Sequence, residues 1–329
     1  MMSTISHGTF KDQDAIILEN DDVRAVLLPS WGAKTVSLVH KGLGIETLWQ
    51  NPARAFMRTG YGASYGDGEF AGFDEMFPTI SRCFYESAPW AGVEAPDHGE
   101  VWTIPWEAVV QGDSVTMRVS GTRFPYTLQK TVTLEGSKLV ARYAASNLSS
   151  APLDYIWAAH PLFNTTEGTR FIVPGGMNRI INAVPSSTLG GYGIHYDFPL
   201  ARSADGKEVR LDRVPPRNST GYQKYWFSQK ATEGWCLLHD PKSTLSIGMS
   251  FPAEKVPYLG MWLNEGGYAG QYNIAPEPAT AAMDRIDFSK MWGMGSVLPP
   301  KGSHEWQLAI TLGDGKEPKG MGVSGEFTY

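Results

Sequence analysis

The clearest structural signal in the chain is the alternation of apolar and polar residues between Tyr126 and Leu134. One face of this extended segment carries the apolar side chains Tyr126, Leu128, Val132 and Leu134. The other face is lined by threonine and glutamine, and this period of two is typical of a half-buried β-strand. A Glu135-Gly136-Ser137 turn follows, and residues 138–146 form a second extended run of similar length. The pattern predicts a long antiparallel hairpin.

Shorter extended runs continue in both directions and are separated by glycine and proline, of which the 329-residue chain has 36 and 22. No amphipathic helix longer than about two turns is predicted. We therefore expect an all-β protein, one domain spanning residues 1–329, built as a large antiparallel β-sandwich in which each half of the chain forms one sheet. The predicted strands are 15–19, 23–28, 34–40, 106–110, 115–120, 170–173, 235–238, 244–251, 258–263 and 305–312.

Composition excludes several classes of partner. The formal net charge is -6. Binding to nucleic acids or anionic membranes favours a basic protein surface, so neither is an expected partner. No apolar run approaches the roughly 18 to 20 residues of a membrane-spanning helix, and residues 1–10 lack the regions of a signal peptide. We expect a cytoplasmic protein. Cys83 and Cys236 form no Cys-x-x-Cys motif, so neither a disulfide framework nor a cysteine zinc site is expected.

Residues 49–96 depart from the strand pattern and are predicted to form a long, glycine-rich loop region. Loops of this length in a compact domain are usually functional. The glycines are not a phosphate-binding loop, because no Gly-Lys-Ser/Thr motif follows them. The segment Phe73-Asp74-Glu75-Met76-Phe77-Pro78-Thr79-Ile80 lies within this region, after its glycines.

One carboxylate is held between two prolines in the segment Asn273-Ile274-Ala275-Pro276-Glu277-Pro278-Ala279-Thr280. Proline fixes its own φ and restricts the preceding residue to extended conformations, so Pro278 holds Glu277 in a β-like conformation. This stiffness suits a carboxylate that must be aimed at a reacting group. The alternative is an edge strand whose prolines prevent further pairing.

Two of the seven histidines have distinctive surroundings. His160 ends the apolar segment Trp157-Ala158-Ala159-His160 and is followed by Pro161, so we expect it to face a cleft. His98 lies in a turn, where Gly99 allows another group to approach the backbone closely. The alternative for any single histidine is a structural imidazole in the core or on the surface.

Together these motifs resemble the aldose 1-epimerase, or galactose mutarotase-like, family. The resemblance covers most of the chain, and its specificity comes from several motifs occurring in the family's order. These are Pro96-Asp97-His98-Gly99-Glu100-Val101-Trp102, His160-Pro161-Leu162-Phe163, Gly260-Met261-Trp262-Leu263-Asn264 and Ala275-Pro276-Glu277-Pro278-Ala279-Thr280. It implies the galactose mutarotase-like supersandwich and an isomerase that interconverts the α and β anomers of a hexose or related aldose.

The resemblance also implies roles for three residues. Glu277 would be the base that removes the proton of the C1 hydroxyl, and His160 the acid that protonates the ring oxygen. His98 would bind the sugar near that oxygen, and no cofactor or metal is required. We expect a gap of about the width of a pyranose between His160 and Glu277, and nearby carboxylates that keep part of His160 protonated at neutral pH.

Further substrate contacts are less well defined by the sequence. Trp262 and Phe163 are candidates to stack on the sugar, although most such aromatics are core residues. Asp74 and Arg82 are candidates for the aspartate and arginine that grip ring hydroxyls in mutarotases, or they could form a structural salt bridge. A phosphorylated substrate would need arginines, and the candidates for that role are Arg54, Arg58 and Arg123.

Two other function classes are consistent with the sequence. One is a non-catalytic carbohydrate-binding protein on the same scaffold, because a fold does not fix a function. The other is a metal-dependent sugar-modifying enzyme, because two histidines and a carboxylate are a common metal-ligand set. In each case the expected ligand is a monosaccharide or sugar derivative, and the protein is expected to be a monomer or a homodimer.

Overall fold

The computed structural model describes residues 3–203, 205–322 and 324–329. Residues 1 and 2, which belong to the segment 1–10 used above for the signal-peptide expectation, lie outside these ranges. Within them the chain is almost entirely β, with one short α-helix at Ile286–Met291 (α1) and a 3₁₀ turn at Tyr65–Asp67. None of the helices described is long and apolar enough to cross a membrane.

Twenty-nine strands are assigned in the described residues, many of them only two to four residues long. They are β1 Thr4–Phe10, β2 Gln13–Glu19, β3 Val23–Leu28, β4 Lys34–His40, β5 Ile45–Glu46, β6 Phe73–Met76, β7 Cys83–Phe84, β8 Glu94–Ala95, β9 Glu107–Gln111, β10 Ser114–Ser120, β11 Tyr126–Glu135, β12 Lys138–Asn147, β13 Leu153–Tyr155, β14 Ala158–Pro161 and β15 Phe163–Asn164. The remainder are β16 Arg170–Ile172, β17 Arg179–Asn182, β18 His195–Asp197, β19 Leu200–Arg202, β20 Glu208–Arg210, β21 Tyr222–Phe227, β22 Trp235–His239, β23 Ser246–Ser250, β24 Tyr258–Asn264, β25 Asn273–Ala279, β26 Ser296–Leu298, β27 Ser303–Gly313, β28 Gly320–Met321 and β29 Phe327–Thr328.

Two large antiparallel sheets contain most of these strands. The larger sheet has the order β1-β2-β3-β4-β6-β14-β25-β24-β21-β17-β18, with β5 and β15 added beside β4 and β25. The smaller sheet has the order β16-β22-β23-β27-β12-β11-β10-β9. The expected all-β, large antiparallel sandwich is confirmed. The predicted long hairpin is also confirmed, because β11 and β12 pair along their whole length from Tyr126↔Asn147 to Glu135↔Lys138.

The prediction that each half of the chain forms one sheet is wrong. Both sheets combine strands from the two halves of the chain. In the larger sheet β1 to β6 are joined by β17, β18, β21, β24 and β25, and in the smaller sheet β9 to β12 are joined by β16, β22, β23 and β27. Strand alternation specifies which side of a strand is buried but does not specify which distant strand it pairs with. The assignment of strands to sheets therefore could not follow from local pattern.

The two faces of the larger sheet have different environments, as the neighbouring residues Asp74 and Glu75 of β6 show. Successive side chains of a strand point to opposite faces. Glu75 points toward the smaller sheet, where its Oε1 accepts a hydrogen bond from the hydroxyl of Tyr143 on β12 at 2.9 Å and pairs with the ammonium of Lys130 on β11 at 2.8 Å. Asp74 therefore points away from the smaller sheet, toward the segment between β5 and β9.

That segment is more ordered than the sequence suggests. Residues 49–96 include the 3₁₀ turn and strands β6, β7 and β8. Strand β6 lies inside the larger sheet between β4 and β14, and all four of its residues are buried. Part of the remaining segment and its continuation lies on the outer face of this sheet, where Tyr65, Phe70 and Trp102 form a small separate apolar cluster with Leu162 and Ala275. Other parts, including Phe77 and Tyr85, pack in the main core.

The proline-flanked carboxylate lies on β25, a central strand paired with β24 along its full length, so the edge-strand alternative is excluded. The other neighbours of β25 pair with it only at its two ends, at Ala158↔Ala279 and through β15. The amide of Thr280 donates to Trp157 on that interrupted side, and Pro276 and Pro278 share its direction because backbone groups alternate along a strand. The two prolines, which have no N–H to donate, therefore lie on the side of β25 where no neighbouring strand needs a hydrogen bond from them.

The ion pair between Lys130 and Glu75 gives a test of this architecture, because both side chains are fully buried between the sheets. We predict that Lys130→Met lowers the free energy of unfolding by about 3 to 5 kcal/mol, since it leaves a carboxylate buried without its counter-charge. The matched control is Arg142→Ala, which breaks the half-exposed pair with Glu135 on the same hairpin and should cost less than about 1 kcal/mol. Urea titration measures both, and equal losses would contradict the burial of the first pair.

Candidate active site

Strand register places the candidate catalytic residues on the outer face of the larger sheet. His160 on β14 is paired with Asp74 on β6, and Ala158 is paired with Ala279 on β25. Paired residues of adjacent strands share a face, as do residues two apart on one strand. His160 and Glu277 therefore lie on the same face as Asp74, away from the smaller sheet.

The same face continues across β24 and β21. Glu277 is paired with Gly260 of β24, and Trp262 of β24 is paired with Lys224 of β21. These residues form the floor of a cavity of about 240 Å³, and the covering segments form its walls. The lining residues are Tyr65, Phe70, Met76, Ile80, Ser81, Asp97, His98, His160, Val184, Lys224, Trp262, Tyr268, Glu277 and Asp284. The volume is that of a site for one small molecule.

Glu277 is completely buried in the floor of this cavity. Its Oε2 forms an ion pair with the ammonium of Lys224, which also lies 3.7 Å from Oδ1 of Asp284. Its Oε1 lies 4.0 Å from Nε2 of His160 and has no hydrogen-bond partner among the described residues. Burial raises the pKa of Glu277, and the charge of Lys224 acts in the opposite direction. The carboxyl group is therefore a stronger base than an exposed glutamate.

His160 is also buried, and its environment differs from the expected one. Burial lowers the pKa of His160 well below the ordinary value, and the positive charges of His98, Lys224 and Lys34 act in the same direction. The expectation that carboxylates keep it partly protonated at neutral pH is therefore wrong for the free protein. The expected gap of a pyranose width is also wrong, since 4.0 Å between Nε2 and Glu277 Oε1 is narrower than a sugar ring.

His98 reaches the cavity from a strained turn. Its φ is +57°, and Gly99 follows at φ +77°, where an added Cβ would lie 2.0 Å from the carbonyl oxygen of Phe77. A left-handed non-glycine residue is uncommon and is often found at functional sites. Nδ1 of His98 lies 3.0 Å from Oδ1 of Asp97, and the imidazole stacks on the ring of Tyr65 with 4.0 Å between centroids. His98 and His160 have centroids 5.1 Å apart.

Asp97 connects this turn to the rest of the cavity wall. Its Oδ2 accepts a hydrogen bond from the backbone amide of Tyr65 at 2.8 Å, and its carbonyl accepts one from the indole of Trp102 at 2.9 Å. Burial alone would raise the pKa of Asp97, but the charge and hydrogen bond of His98 and the amide of Tyr65 outweigh it, so the pKa is lowered. An ionised carboxylate thus fixes the His98 ring.

Of two residues predicted to bind the substrate, Trp262 lies at the cavity surface and Asp74 does not. Trp262 lines the cavity, and its indole N–H is buried without a hydrogen-bond partner among the described residues. Asp74 lies one layer behind the cavity and is fully buried, where it accepts hydrogen bonds from Lys34 at 2.7 Å and from the hydroxyl of Tyr65 at 2.6 Å. The structure thus gives Asp74 the alternative role, a salt bridge that holds a cavity residue in place.

Arg82 and Phe163 are not among the lining residues. The side chain of Arg82 is 64% exposed and pairs with Glu94 at 3.0 Å, because the Phe73–Ile80 stretch turns outward just before it. Phe163 is fully buried in the apolar core. The arginines considered for a phosphate do not line the cavity either: Arg58 pairs with Asp12 and Arg123 with Glu94, and Arg54 is exposed.

Among the lining residues that were not predicted from the sequence, four contact Glu277, His98 or Lys224. Lys224 had a usable signal, since it is a lysine inside the apolar strand segment Tyr222–Phe227. Asp97 lies in the motif of residues 96–102 around His98, but the resemblance implied no role for it. Tyr65 and Asp284 had no local signal, and both arrive from distant loops. Asp284 adopts a left-handed conformation, and its carbonyl accepts the amides of Ile80 and Ser81.

The described residues contain no group of three His, Cys, Asp or Glu side chains placed to hold a metal ion. The ligand set considered for a metal enzyme is His98, His160 and Glu277. Two of its members are already engaged, because Nδ1 of His98 binds Asp97 and Oε2 of Glu277 binds Lys224. The arrangement suits proton transfer, with one free carboxylate oxygen facing an imidazole in the cavity.

Comparison with solved structures identifies the fold of the chain. No protein-family model and no curated protein matches the chain. Solved structures do match over nearly the whole length. A protein from Synechocystis sp. PCC 6803 has 18% identity and a TM-score of 0.68, covering 94% of this chain and 99% of that one. A galactose mutarotase-like protein from Lactobacillus casei ATCC 334 has 19% identity and a TM-score of 0.65, covering 91% and 100%.

A third structure, described as that of a candidate aldose 1-epimerase from Klebsiella pneumoniae, has 14% identity and a TM-score of 0.69, covering 94% of this chain and 82% of that one. At these identities the likeness establishes architecture. The chain has the galactose mutarotase-like β-sandwich fold, and the resemblance identified in the sequence is confirmed at that level.

The lowered pKa of His160 makes a prediction about stability. Because the folded-state pKa lies below the ordinary value of 6.5, the contribution of neutral His160 is present above that value and is lost as pH falls. We expect the unfolding free energy of the wild type, relative to His160→Gln, to decrease between pH 6.5 and pH 5 by about 1 kcal/mol per unit. Urea titration at each pH measures this. Direct NMR titration of His160 at or above pH 6.5 would contradict it.

Proposed function

We propose that this protein is an aldose 1-epimerase, an isomerase that opens and recloses the ring of a monosaccharide through Glu277 and His160. The observation that carries the proposal is a set of three buried polar atoms at one cavity that lack partners among the described residues: Oε1 of Glu277, Nδ1 of His160 and Nε1 of Trp262. Buried polar groups are almost always hydrogen-bonded. A small molecule rich in hydroxyl groups would supply those hydrogen bonds.

The chemistry requires two proton transfers at one carbon. Ring opening removes the proton of the C1 hydroxyl and adds a proton to the ring oxygen, and both oxygens are bonded to C1. A base and an acid separated by 4.0 Å can therefore serve adjacent oxygens without spanning the whole ring. This accounts for a gap narrower than a pyranose, since the sugar approaches with its C1 edge rather than entering between the two groups.

Glu277 acts as the base through its free Oε1. Its raised pKa increases its affinity for the hydroxyl proton, which improves general-base catalysis when it remains ionised at the working pH. The ring oxygen receives its proton from His160, and the open-chain aldehyde forms as the C1–O5 bond breaks. Rotation about C1–C2 and reclosure, with both transfers reversed, produce the other anomer.

The pair must carry one proton in total for this cycle. Before ring opening the proton is on His160 and Glu277 is ionised, and afterwards Glu277 is protonated and His160 is neutral. Burial raises the pKa of Glu277 and lowers that of His160, so the two groups compete for a single proton and titrate as a coupled pair. Ring opening needs the form with the proton on His160, and because burial lowers the pKa of His160 this form is scarce at neutral pH and increases as pH falls. Activity should therefore increase from pH 8 toward pH 6.

His98 and Trp262 complete the proposed binding site. His98 is fixed by Asp97 and stacked on Tyr65, which leaves its Nε2 to donate to or accept from the sugar near the ring oxygen. Trp262 lies between Tyr222 and Tyr268, with ring centroids within 6 Å of each, and offers both an apolar face and its free N–H. Such a combination of aromatic surface and polar groups is typical of small-molecule sites.

The central prediction concerns Glu277. Purified protein should accelerate the optical-rotation change of freshly dissolved α-glucose or α-galactose, and Glu277→Gln should reduce kcat/KM by about 100-fold or more because the base is lost. His160→Gln should show a comparable loss. Arg118→Gln, on an exposed position of β10 in the other sheet, is the control and should retain full activity.

Other outcomes separate the alternative functions. Sugar binding without acceleration across a panel of aldoses would contradict the epimerase proposal and favour a non-catalytic carbohydrate-binding protein. Activity that depends on a stoichiometric metal, found by elemental analysis of the purified protein, would contradict the acid-base mechanism and favour a metal enzyme.

A further inference from the structure

Lys224 has no role in the chemistry described above, although it lies in the floor of the cavity. Its residue exposure is 5%, and its ammonium pairs with Oε2 of Glu277 and lies 3.7 Å from Oδ1 of Asp284. It also lies 5.3 Å from the ring centroid of Trp226, whose indole N–H donates to Asp284 at 2.8 Å. Four residues from three separate segments thus form one connected, buried cluster.

Burial of an ammonium group is costly unless it is paired and hydrogen-bonded. A methionine at position 224 would fill a similar volume on this apolar strand without that cost. The charged residue is therefore expected to have a function that a neutral one would not provide. Its position beside the proposed base, rather than beside a structural carboxylate, indicates what that function is.

The contact leaves the two oxygens of Glu277 in different situations. Oε2 is held by Lys224 on β21, and Oε1 remains free and faces His160 on β14. Rotation of the carboxyl group away from this orientation would break the ion pair, so the ammonium fixes the orientation in which one oxygen faces the reacting hydroxyl. It also stabilises the ionised form of a carboxylate that burial would otherwise favour in its neutral form.

We propose that Lys224 is a positioning residue for this reaction: it holds Glu277 ionised and with Oε1 presented to the C1 hydroxyl, and Asp284 and Trp226 hold Lys224 in turn. The inference rests on the proposed function. It assigns a role to a residue that is in none of the motifs by which the sequence resembles aldose 1-epimerases.

The charged and titratable groups around Glu277 determine the expected effects. Lys224 faces it from β21, His160 from β14, His98 from the loop before β9, Asp284 from the loop before α1, and the hydroxyl-bearing Tyr65 from the 3₁₀ turn. Removing the cation makes the carboxyl group bind its proton more tightly. Removing the neighbouring carboxylate of Asp284 has the opposite effect, because it removes a repulsion and leaves the ammonium to Glu277 alone.

The test compares the pH profile of kcat/KM of three variants with that of the wild type. Lys224→Met should shift the profile to higher pH by about one unit or more relative to the wild type, and Asp284→Asn should shift it to lower pH. Lys224→Arg, which keeps the positive charge, should restore the wild-type position of the profile even if kcat remains reduced. A purely structural role would lower activity equally at every pH, and that result would overturn the proposal.

Lys130→Met is the matched control for loss of a buried lysine. Lys130 is fully buried and paired with Glu75 on the opposite face of the larger sheet. Its replacement should reduce stability without shifting the pH profile, since the changed charge is on the side of the sheet away from the cavity. A shift equal to that of Lys224→Met would show that the profile reports general destabilisation, and would overturn the proposal.

A second readout does not depend on turnover. The carboxyl carbon of Glu277, labelled with ¹³C-glutamate and assigned by comparison with Glu277→Gln, can be titrated by NMR in each protein. It should titrate at higher pH in Lys224→Met and at lower pH in Asp284→Asn. If the wild type accelerates no aldose, the proposed function fails, and this titration still decides the inference: an unchanged Glu277 titration in Lys224→Met would overturn it.

Discussion

The organisation of the site depends on keeping one carboxylate buried in a sheet without losing its charge. Glu277 lies on a central strand with no exposed surface, where an unpaired carboxylate would take up a proton. The compensating charge comes from the same face of the sheet, at Lys224 on β21, two strands away from β25. The second oxygen stays free because no donor reaches it among the described residues. The basicity and orientation of the Glu277 carboxylate both follow from having one oxygen paired with Lys224 and the other without a hydrogen-bond partner.

The backbone achieves the same end by interrupting its own pairing. Pro276 and Pro278 would be unfavourable in a fully paired central strand, but β25 pairs completely only with β24, and its other neighbours contact it at the two ends. The prolines occupy the open stretch between those contacts. Glu277 is consequently held in an extended conformation on a central strand although both neighbouring residues are prolines.

Sequence reasoning was strongest where the determining contacts are local. The hairpin of β11 and β12 has its pattern and its turn in one continuous segment, and each strand extends one residue beyond its predicted end, to Glu135 and to Asn147. It was weakest for contacts between distant segments: the sheet membership of each strand, the central position of β6, and the arrival of Tyr65 and Asp284 at the cavity. Glu277, His160 and His98 line one cavity, and each could be proposed from the sequence because a short motif surrounds it. Lys224 was missed because a single lysine in an apolar strand has no motif.

The most direct test of the account is a crystal structure of the protein with an aldose bound. We predict that the sugar occupies the cavity with its C1 hydroxyl at hydrogen-bond distance from Oε1 of Glu277, and its ring oxygen against the imidazole of His160 or His98. Oε2 of Glu277 should remain paired with Lys224. A sugar bound in this cavity with C1 directed away from Glu277, or bound only elsewhere on the protein, would contradict the assignment of Glu277 as the base.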